Sequence, residues 1–201
     1  MSDFIYLASQ SPRRRQLLDQ IGVRYAMLLP ADDEDAESLE AERAGELAAD
    51  YVQRVTRAKL DAARERLQKR ALPMSPILCA DTTVALGDRI LGKPADAADA
   101  VDTLRLLSGV PHLVITAIAV AVDAETSLYA QNTSVVHLAD VDPAEIDAYV
   151  ASGDAFGKAG AYAIQSRAAA WVSRIEGSYS GIMGLPLFET AQLLKQAGVR
   201  F

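Results

Sequence analysis

A short apolar segment followed by Ser11, Pro12 and three arginines is the feature that most narrows how this chain can fold. Phe4-Ile5-Tyr6-Leu7 is a compact apolar run, typical of a buried strand. Ser11 and Pro12 then form a standard helix start, with a hydroxyl at the N-cap and proline in the first turn. The helical pattern that follows can end at Gly22. The sequence therefore predicts a strand, a loop and a helix.

Arg13, Arg14 and Arg15 lie in the first turn of this predicted helix, where the helix dipole disfavours positive charge. The free backbone N–H groups at the same end carry partial positive charge. Together with the arginines they form a cradle suited to phosphate. The alternative is that the arginines are solvated surface groups. A bound anion would compensate the unfavourable charge.

The composition is that of an ordinary enzyme-sized protein, with 201 residues, 50% hydrophobic and 23% charged. That length supports one compact core, so we expect a single domain over residues 1–201. A formal net charge of -7 argues against a nucleic-acid partner, which needs an extended basic surface. Cys79 is the only cysteine, which excludes an internal disulfide and favours a reducing, cytoplasmic compartment. No apolar run is long enough to span a bilayer, so no membrane association is expected.

Strand-like and helix-like segments alternate along the chain, which predicts an α/β or α+β domain with a mixed sheet. The predicted strands after the first are 25–29, 76–80, 83–86, 112–122 and 127–139. The predicted helices after the first are 46–70, 96–107, 143–152 and 185–196. Gly87-Asp88 is predicted as a turn.

Asp81 also suggests chemistry, because the apolar strand 77–80 runs into this carboxylate and the hydroxyls of Thr82 and Thr83. At a strand end, an aspartate can bind a divalent cation beside a phosphate or accept a proton from an attacking water. The alternative is a turn aspartate bonded to nearby N–H groups. The turn Gly92-Lys93-Pro94 adds a cation that could meet phosphate, although it is not a P-loop.

Lys59 and Arg54 lie five residues apart on the predicted helix 46–70, which separates them by about 140° around the axis. They therefore cannot both face one pocket. Ser9 and Ser11 have no evident histidine partner in the sequence, so phosphate binding is a better interpretation than nucleophilic catalysis. His112 is interpreted as a hydrogen-bonded structural residue and not as a general base.

Seven separated blocks of the chain stand in the order found in a known family. They are Leu7 to Arg14, Arg54 with Lys59, Ala80 to Val84, Gly92 to Pro94, Ser108-Gly109 with His112 and Thr116, Lys158 to Gln165, and Gly177-Ser178-Tyr179 leading to Gly184-Leu185-Pro186-Leu187. This set resembles the Maf family of nucleoside triphosphate pyrophosphatases, also described as septum-formation inhibitors.

The resemblance implies hydrolysis of a nucleoside triphosphate to the monophosphate and pyrophosphate, with a divalent metal cation, Mg²⁺ or Mn²⁺. It also implies a fold: an elongated, curved mixed sheet with flanking helices, whose two lobes lie around a cleft. A homodimer is expected on the same ground.

The family also implies roles for particular residues of this chain. The position that matches Asp81 is regarded as the catalytic proton acceptor, and those that match Arg13, Thr82 and Gln165 are associated with substrate choice. Glu34 matches a family acid that could share the metal with Asp81. The other candidates for substrate binding are Ser9, Ser11, Arg14, Lys59, Lys93 and Lys158. For Glu34 the alternative is a solvated acidic run, because Asp32, Asp33, Asp35 and Glu37 surround it.

The block Lys158 to Gln165 resembles the subfamily that acts on dTTP and UTP. The subfamily that acts on 7-methyl-GTP, the alternative substrate, tends to have glutamate in place of Gln165. An amide can both donate and accept hydrogen bonds, which fits the imide edge of thymine or uracil. The alternative for Gln165 is a buried amide bonded to the backbone. Gly157 and Ser166 depart from the family pattern, in which an acid commonly precedes the lysine and a glycine follows the glutamine.

Two further functions would use the same residues. A nucleotide-binding regulator of cell division would keep the pocket and lose the chemistry, although retention of Asp81, Lys59 and Lys93 argues against it. A phosphomonoesterase or sugar-phosphate enzyme would use the same anion cradle and release orthophosphate. The product therefore distinguishes the three functions: a pyrophosphatase releases pyrophosphate, a regulator releases no product, and a phosphomonoesterase or sugar-phosphate enzyme releases orthophosphate.

Overall fold

A computed structural model describes residues 2–31, 34–35 and 38–201 of the chain. The strands of this region are β1 (Ile5–Leu7), β2 (Tyr25–Met27), β3 (Ile77–Leu86), β4 (Arg89–Leu91), β5 (Pro111–Ala121), β6 (Ser127–Leu138) and β7 (Val172–Glu176). Its helices are α1 (Pro12–Gln20), α2 (Ala48–Lys69), α3 (Ala97–Leu107), α4 (Pro143–Ala151), α5 (Tyr179–Met183) and α6 (Leu187–Gln196). None of these helices is both long and apolar enough to cross a membrane.

The seven described strands form one mixed sheet in the order β2-β1-β3-β5-β6-β7, with β4 paired to β3. β1 is parallel to β2 and to β3, and Leu7 lies opposite Met27 and Leu78. The strands from β3 through β5 and β6 to β7 pair antiparallel, and a tight turn at Gly87-Asp88 joins β3 to β4. The predicted mixed sheet with flanking helices is confirmed.

Helices cover both faces of the sheet, as the alternation of side chains along each strand requires. On one face, Leu60 and Ala63 of α2 pack in a cluster with Ile77 of β3. The opposite face packs against the other five helices, which contribute buried residues such as Leu18, Leu104, Ile146 and Leu194. Asp81 follows Ile77 at an even spacing and therefore shares the α2 face, whereas Thr82 belongs to the opposite face.

The predicted element boundaries agree with the structure to within a few residues for the helices and for most strands. The exception is β3, which runs unbroken through Asp81 where two separate strands were predicted. Its antiparallel pairing with β5 continues across this point, with Asp81 opposite Ala117. β4, β7 and α5 were not predicted; they span three, five and five residues.

The edge of β3 that faces away from β5 explains why the sequence suggested an interruption at Asp81. β1 pairs with β3 only as far as Leu78, and the pairing with β4 begins at Val84. Between these two positions, this edge of β3 has no partner strand within the described residues. The interruption is therefore in the pairing on one side, and it opens the sheet edge beside Asp81.

Gly160 fixes the block 158–165 against β3. Its backbone has φ +69°, and a Cβ at this position would lie 3.0 Å from both Cγ atoms of Val84. Its N–H donates to the Gly92 carbonyl at 3.1 Å. The absence of a side chain therefore allows both the left-handed backbone and the close approach to the strand.

We predict that Gly160→Ala lowers the free energy of unfolding by about 2 to 4 kcal/mol, because strain at positive φ adds to overpacking against Val84. Gly153→Ala is the matched control, since Gly153 has φ +84° and a Cβ added there would meet none of the described residues within 4 Å. The control should lose only about 1 kcal/mol. Urea denaturation of the three proteins measures the difference, and equal losses in both variants would contradict the packing argument.

Candidate functional site

A cleft of about 780 Å³ lies at the open edge of β3. This volume is in the range of sites for nucleotide-sized ligands. All the candidate residues predicted from the sequence line it, namely Ser9, Ser11, Arg13, Arg14, Glu34, Lys59, Asp81, Thr82, Lys93, Lys158 and Gln165. The residues come from six separate parts of the chain, so the fold itself brings them together.

The start of α1 forms one wall of the cleft. Ser11 occupies the N-cap position as predicted, but its hydroxyl makes no capping hydrogen bond within the described residues. The Ser9 hydroxyl oxygen instead accepts from the Ser11 N–H at 3.2 Å. The first turn of α1 contains no acidic residue. The helix N-terminus therefore presents positive potential to the cleft, with no acidic side chain in its own first turn.

The arginines of this turn are partly compensated by the end of another helix. Arg13 Nε donates to the Met183 carbonyl at 3.3 Å, and Arg14 Nε donates to the Gly184 carbonyl at 2.7 Å. These carbonyls lie at the C-terminus of α5, the negative end of its dipole. The sequence suggested an anion as the compensating partner, and the structure supplies backbone carbonyls for part of that role.

Arg13 and Arg14 differ in the hydrogen-bond donors that they leave available for a ligand. The terminal nitrogens of Arg14 donate to Ser9 Oγ at 3.0 Å and to Thr82 Oγ1 at 3.4 Å. The terminal nitrogens of Arg13 make no hydrogen bond within the described residues, and this side chain lines the cleft. Burial lowers the pKa of both arginines. Arg14 is thus a strut between α1, β3 and α5, and Arg13 has donors available for an anion.

Thr82 belongs to the same strut. Its hydroxyl lies 2.8 Å from the hydroxyl of Thr116, its cross-strand neighbour on β5. The Thr116 hydroxyl donates in turn to the Gly181 carbonyl at 2.8 Å. The Thr82 side chain therefore helps to dock α5 on the sheet as well as lining the cleft.

Asp81 lies at the floor of the cleft and is 8% exposed. Lys59 of α2 donates from Nζ to Asp81 Oδ1 at 2.6 Å and to Glu40 Oε1 at 2.7 Å. Lys93 Nζ donates to the other oxygen of Glu40 at 2.6 Å. The four side chains form a chain of alternating charge, Asp81–Lys59–Glu40–Lys93, along the α2 face of the open strand edge.

Glu40 was missed by sequence reasoning, although it lines the cleft. Burial raises the pKa of Glu40, but the neighbouring ammonium groups of Lys59 and Lys93 outweigh this effect and lower the pKa below its usual value. Nothing local distinguishes Glu40 from the other acids of its segment. Only the fold brings it to the two lysines.

The helical geometry of α2 separates Lys59 from Arg54, as predicted. Arg54 is not among the residues that line the cleft, and it donates to both carboxylate oxygens of Glu46 at 2.6 Å and to the Ala41 carbonyl at 2.9 Å. Arg54 therefore holds the segment that precedes α2, while Lys59 belongs to the site.

Glu34 lines the cleft, but its carboxylate is already paired with Arg66 of α2. Arg66 Nε donates to Oε1 at 3.0 Å and to Oε2 at 2.9 Å, and its Nη2 donates to Oε2 at 2.6 Å. These hydrogen bonds lower the pKa of Glu34 to about 2. The metal role of Glu34 stays a prediction. Its sequence neighbours Asp32, Asp33 and Glu37 lie outside the described residues.

The side chains of the cleft fit a divalent cation that is held by one carboxylate together with phosphates, and not one held by protein ligands alone. Within the described residues, no three His, Cys, Asp or Glu side chains converge as metal ligands. Mg²⁺ is commonly held by one or two carboxylates together with substrate phosphates. Asp81 Oδ2 accepts no hydrogen bond from the described residues, whereas both oxygens of Glu34 are engaged by Arg66. The donor set therefore fits a cation that enters with phosphates and binds Asp81.

The block 158–165 forms the opposite wall. Lys158 Nζ donates to the Asp154 carbonyl at 2.5 Å and to the Phe156 carbonyl at 3.3 Å, so this lysine closes its own loop at the margin of the cleft. Gln165 is exposed and lines the cleft. Its amide makes no hydrogen bond within the described residues, so the alternative of a buried, backbone-bonded glutamine is wrong.

The two departures from the family pattern have local explanations. Gly157 has φ +69°, a conformation that an acidic side chain would adopt only with strain. The Ser166 hydroxyl donates to the Ala163 carbonyl at 2.8 Å and lies 3.1 Å from the Tyr149 hydroxyl. Ser166 therefore braces the turn that carries Gln165.

His112 supports this wall from behind, which agrees with the structural role predicted for it. Its Nε2 lies 2.7 Å from the Tyr162 hydroxyl. Burial lowers the pKa of His112 to about 4, so the ring is neutral near pH 7. Burial also raises the pKa of Tyr162. The pair is a neutral hydrogen bond that fixes Tyr162 within the block.

Fold and cleft together define a mixed α/β protein with a cation-lined site of nucleotide size. The sequence profile of the family described as Maf-like protein matches residues 4–197, and the chain belongs to the Maf family. The chain is 59% identical over 201 residues to a protein of Cupriavidus pinatubonensis named dTTP/UTP pyrophosphatase, with 100% of both chains covered.

Other relatives carry the same name. A protein of Polaromonas sp. (strain JS666) is 58% identical over 199 residues, covering 99% of this chain and 98% of its own. One of Burkholderia pseudomallei is 60% identical over 200 residues, covering 98% and 95%. Among solved structures, a HAM1 protein from Coxiella burnetii matches with a TM-score of 0.50 at 13% identity and covers 97% of this chain and 100% of its own. That match concerns the fold alone.

The different surroundings of the two arginines predict different consequences of removing them. Arg13→Ala should weaken binding of a triphosphate nucleotide at least about tenfold with little change in melting temperature, because the side chain makes one long hydrogen bond in the protein. Arg14→Ala should lower stability by about 1 to 3 kcal/mol, because Ser9, Thr82 and Gly184 lose a buried donor.

Calorimetric titration with the nucleotide and thermal unfolding measure the two effects on the same samples. A large drop in melting temperature for Arg13→Ala with unchanged binding would reverse the assignment of the two side chains.

Proposed function

We propose that this protein hydrolyses dTTP and UTP to the nucleoside monophosphate and pyrophosphate. The observation that carries the proposal is the pairing of Asp81 with Lys59 at 2.6 Å on the floor of a cleft lined by Arg13 and Lys93. Relatives that match almost the whole chain at 58–60% identity are named for the same activity.

In this proposal the cations bind the phosphates, and Asp81 activates the attacking water. The N-terminus of α1, Arg13, Lys59 and Lys93 bind the phosphates and stabilise the negative charge that develops on them. The Asp81 carboxylate accepts a proton from a water molecule whose oxygen forms a new bond to phosphorus, while the bond between the α- and β-phosphates breaks. Lys59 fixes the orientation of that carboxylate, and pyrophosphate leaves with the electron pair of the broken bond.

We propose that a divalent cation, Mg²⁺ or Mn²⁺, enters with the triphosphate and contacts Asp81. When bound, it would supply charge neutralisation on the phosphate oxygens. The residues of the chain still perform the selection of the nucleotide and the orientation of the acid.

For the base, we propose that the amide of Gln165 meets the imide edge of thymine or uracil. The support is that Gln165 is exposed in the cleft with its amide donor and acceptor available. The alternative substrate, 7-methyl-GTP, presents a different hydrogen-bonding edge. A homodimer, a cytoplasmic location and a single domain over residues 1–201 stay predictions from the sequence.

A panel of dTTP, UTP, GTP and 7-methyl-GTP, with separate detection of pyrophosphate and orthophosphate, tests the proposal. Pyrophosphate released fastest from dTTP and UTP is expected. Orthophosphate as first product would show hydrolysis at the terminal phosphate and refute the pyrophosphatase reaction. Nucleotide binding without any product would indicate a regulator, and preference for 7-methyl-GTP would refute the substrate assignment.

Asp81→Asn is predicted to reduce turnover at least about 100-fold, because the amide keeps the shape but cannot accept the proton. The fold should persist, since Lys59 remains paired with Glu40. Circular dichroism and thermal unfolding provide the control for folding. Turnover within a few-fold of the unchanged protein, in a folded and magnesium-loaded variant, would remove Asp81 from the catalytic role.

Gln165→Glu is predicted to reduce the preference for dTTP over GTP by about tenfold, because a carboxylate cannot donate to the imide edge. Gln20→Glu is the matched control: Gln20 is exposed at the end of α1, outside the cleft, and should leave the preference unchanged. Steady-state kcat/KM for both nucleotides gives the ratio. A preserved ratio in Gln165→Glu would show that another group reads the base.

A further inference from the structure

The carboxylate of Glu40 occupies the two lysines that the proposed function assigns to the triphosphate. Its Oε1 accepts from Lys59 at 2.7 Å and its Oε2 accepts from Lys93 at 2.6 Å. One anionic group between two ammonium groups is also the arrangement that a phosphate would take. In the free protein, this position is filled by the side chain of the chain itself.

The backbone at Glu40 is held independently of the lysines. The Tyr51 hydroxyl donates to the Glu40 carbonyl at 2.9 Å, and Arg54 donates to the next carbonyl, that of Ala41, at 2.9 Å. Both donors belong to α2. The segment can therefore stay docked on α2 when the carboxylate leaves the lysines, and only rotation about the side-chain bonds of Glu40 is needed.

Phosphates and the Glu40 carboxylate cannot share this position without repulsion between like charges at short range. A triphosphate carries further charges for Arg13 and the N-terminus of α1, which line the same cleft, whereas Glu40 contributes a single carboxylate. The triphosphate therefore has contacts that the carboxylate cannot replace, and it is the stronger occupant.

We propose that Glu40 is an internal competitor of the substrate phosphates: it pairs with Lys59 and Lys93 in the free protein and swings away when a polyphosphate binds. This inference rests on the proposed function for the identity of the ligand. Only the molecules in which Glu40 has left the lysines can bind a polyphosphate there. The measured affinity for polyphosphates is therefore the intrinsic affinity multiplied by the fraction of such molecules.

Glu40→Gln removes the competing charge while keeping the size of the side chain. Because both ion pairs are partly exposed, we expect pyrophosphate to bind about three- to tenfold more tightly to this variant. The KM for the triphosphate should fall by a similar factor, and kcat should stay within about twofold. Glu40→Asp, whose shorter side chain cannot span both lysines, should shift binding in the same direction.

Glu42→Gln is the matched control, since Glu42 is exposed two residues away and has no ion pair within the described residues. It should leave pyrophosphate affinity within about twofold, which separates direct contact from general charge. Calorimetric titration with pyrophosphate, which needs no turnover, measures all four proteins. Unchanged or weaker binding in Glu40→Gln, or a tenfold loss of kcat, would overturn the proposal. Absence of triphosphate hydrolysis by the unchanged protein would instead refute the proposed function.

Discussion

The ion pair between Lys59 and Asp81 is the interaction on which the rest of the site depends. A carboxylate in the middle of a strand, 8% exposed, is costly to bury without a partner. Lys59 supplies that partner from α2, and α2 is held against β3 and β5 by its buried face, including Val55 and Leu60. The packing of one long helix on the sheet therefore sets the position of the ammonium group, and with it the orientation of Asp81.

The open edge of β3 exposes this pair to the cleft, and side chains from both faces of the sheet meet around that edge. Alternation along the strand directs Asp81 to the α2 face and Thr82 to the face on which Arg14 and Thr116 connect α1, β5 and α5. The cleft consequently surrounds an edge, with acid and lysines on one side and the arginine strut on the other. The negative end of α5 holds the Nε groups of Arg13 and Arg14, which lets a basic first turn persist without an acid in it.

Sequence reasoning reached the mixed sheet, most helices and the set of residues that meet in the cleft, because apolar periodicity, helix caps and family blocks are properties of short segments. It missed Glu40 and the pairing of Glu34 with Arg66, since these contacts join residues 19 or more positions apart and leave no local pattern. It also divided β3 at Asp81. The polar residues there reflect an unpaired edge, and a sequence does not show which edge of a strand is paired.

The most direct measurement is a crystal structure of the protein with magnesium and α,β-imido-dUTP, which the proposed reaction cannot cleave. The account predicts the triphosphate against Arg13, Lys59 and Lys93, with the Asp81 carboxylate facing the bridge between the α- and β-phosphates directly, through one water or through the metal. It also predicts the uracil ring beside Gln165. A triphosphate bound away from the open edge of β3, or an Asp81 carboxylate separated from the phosphates by protein, would contradict the account.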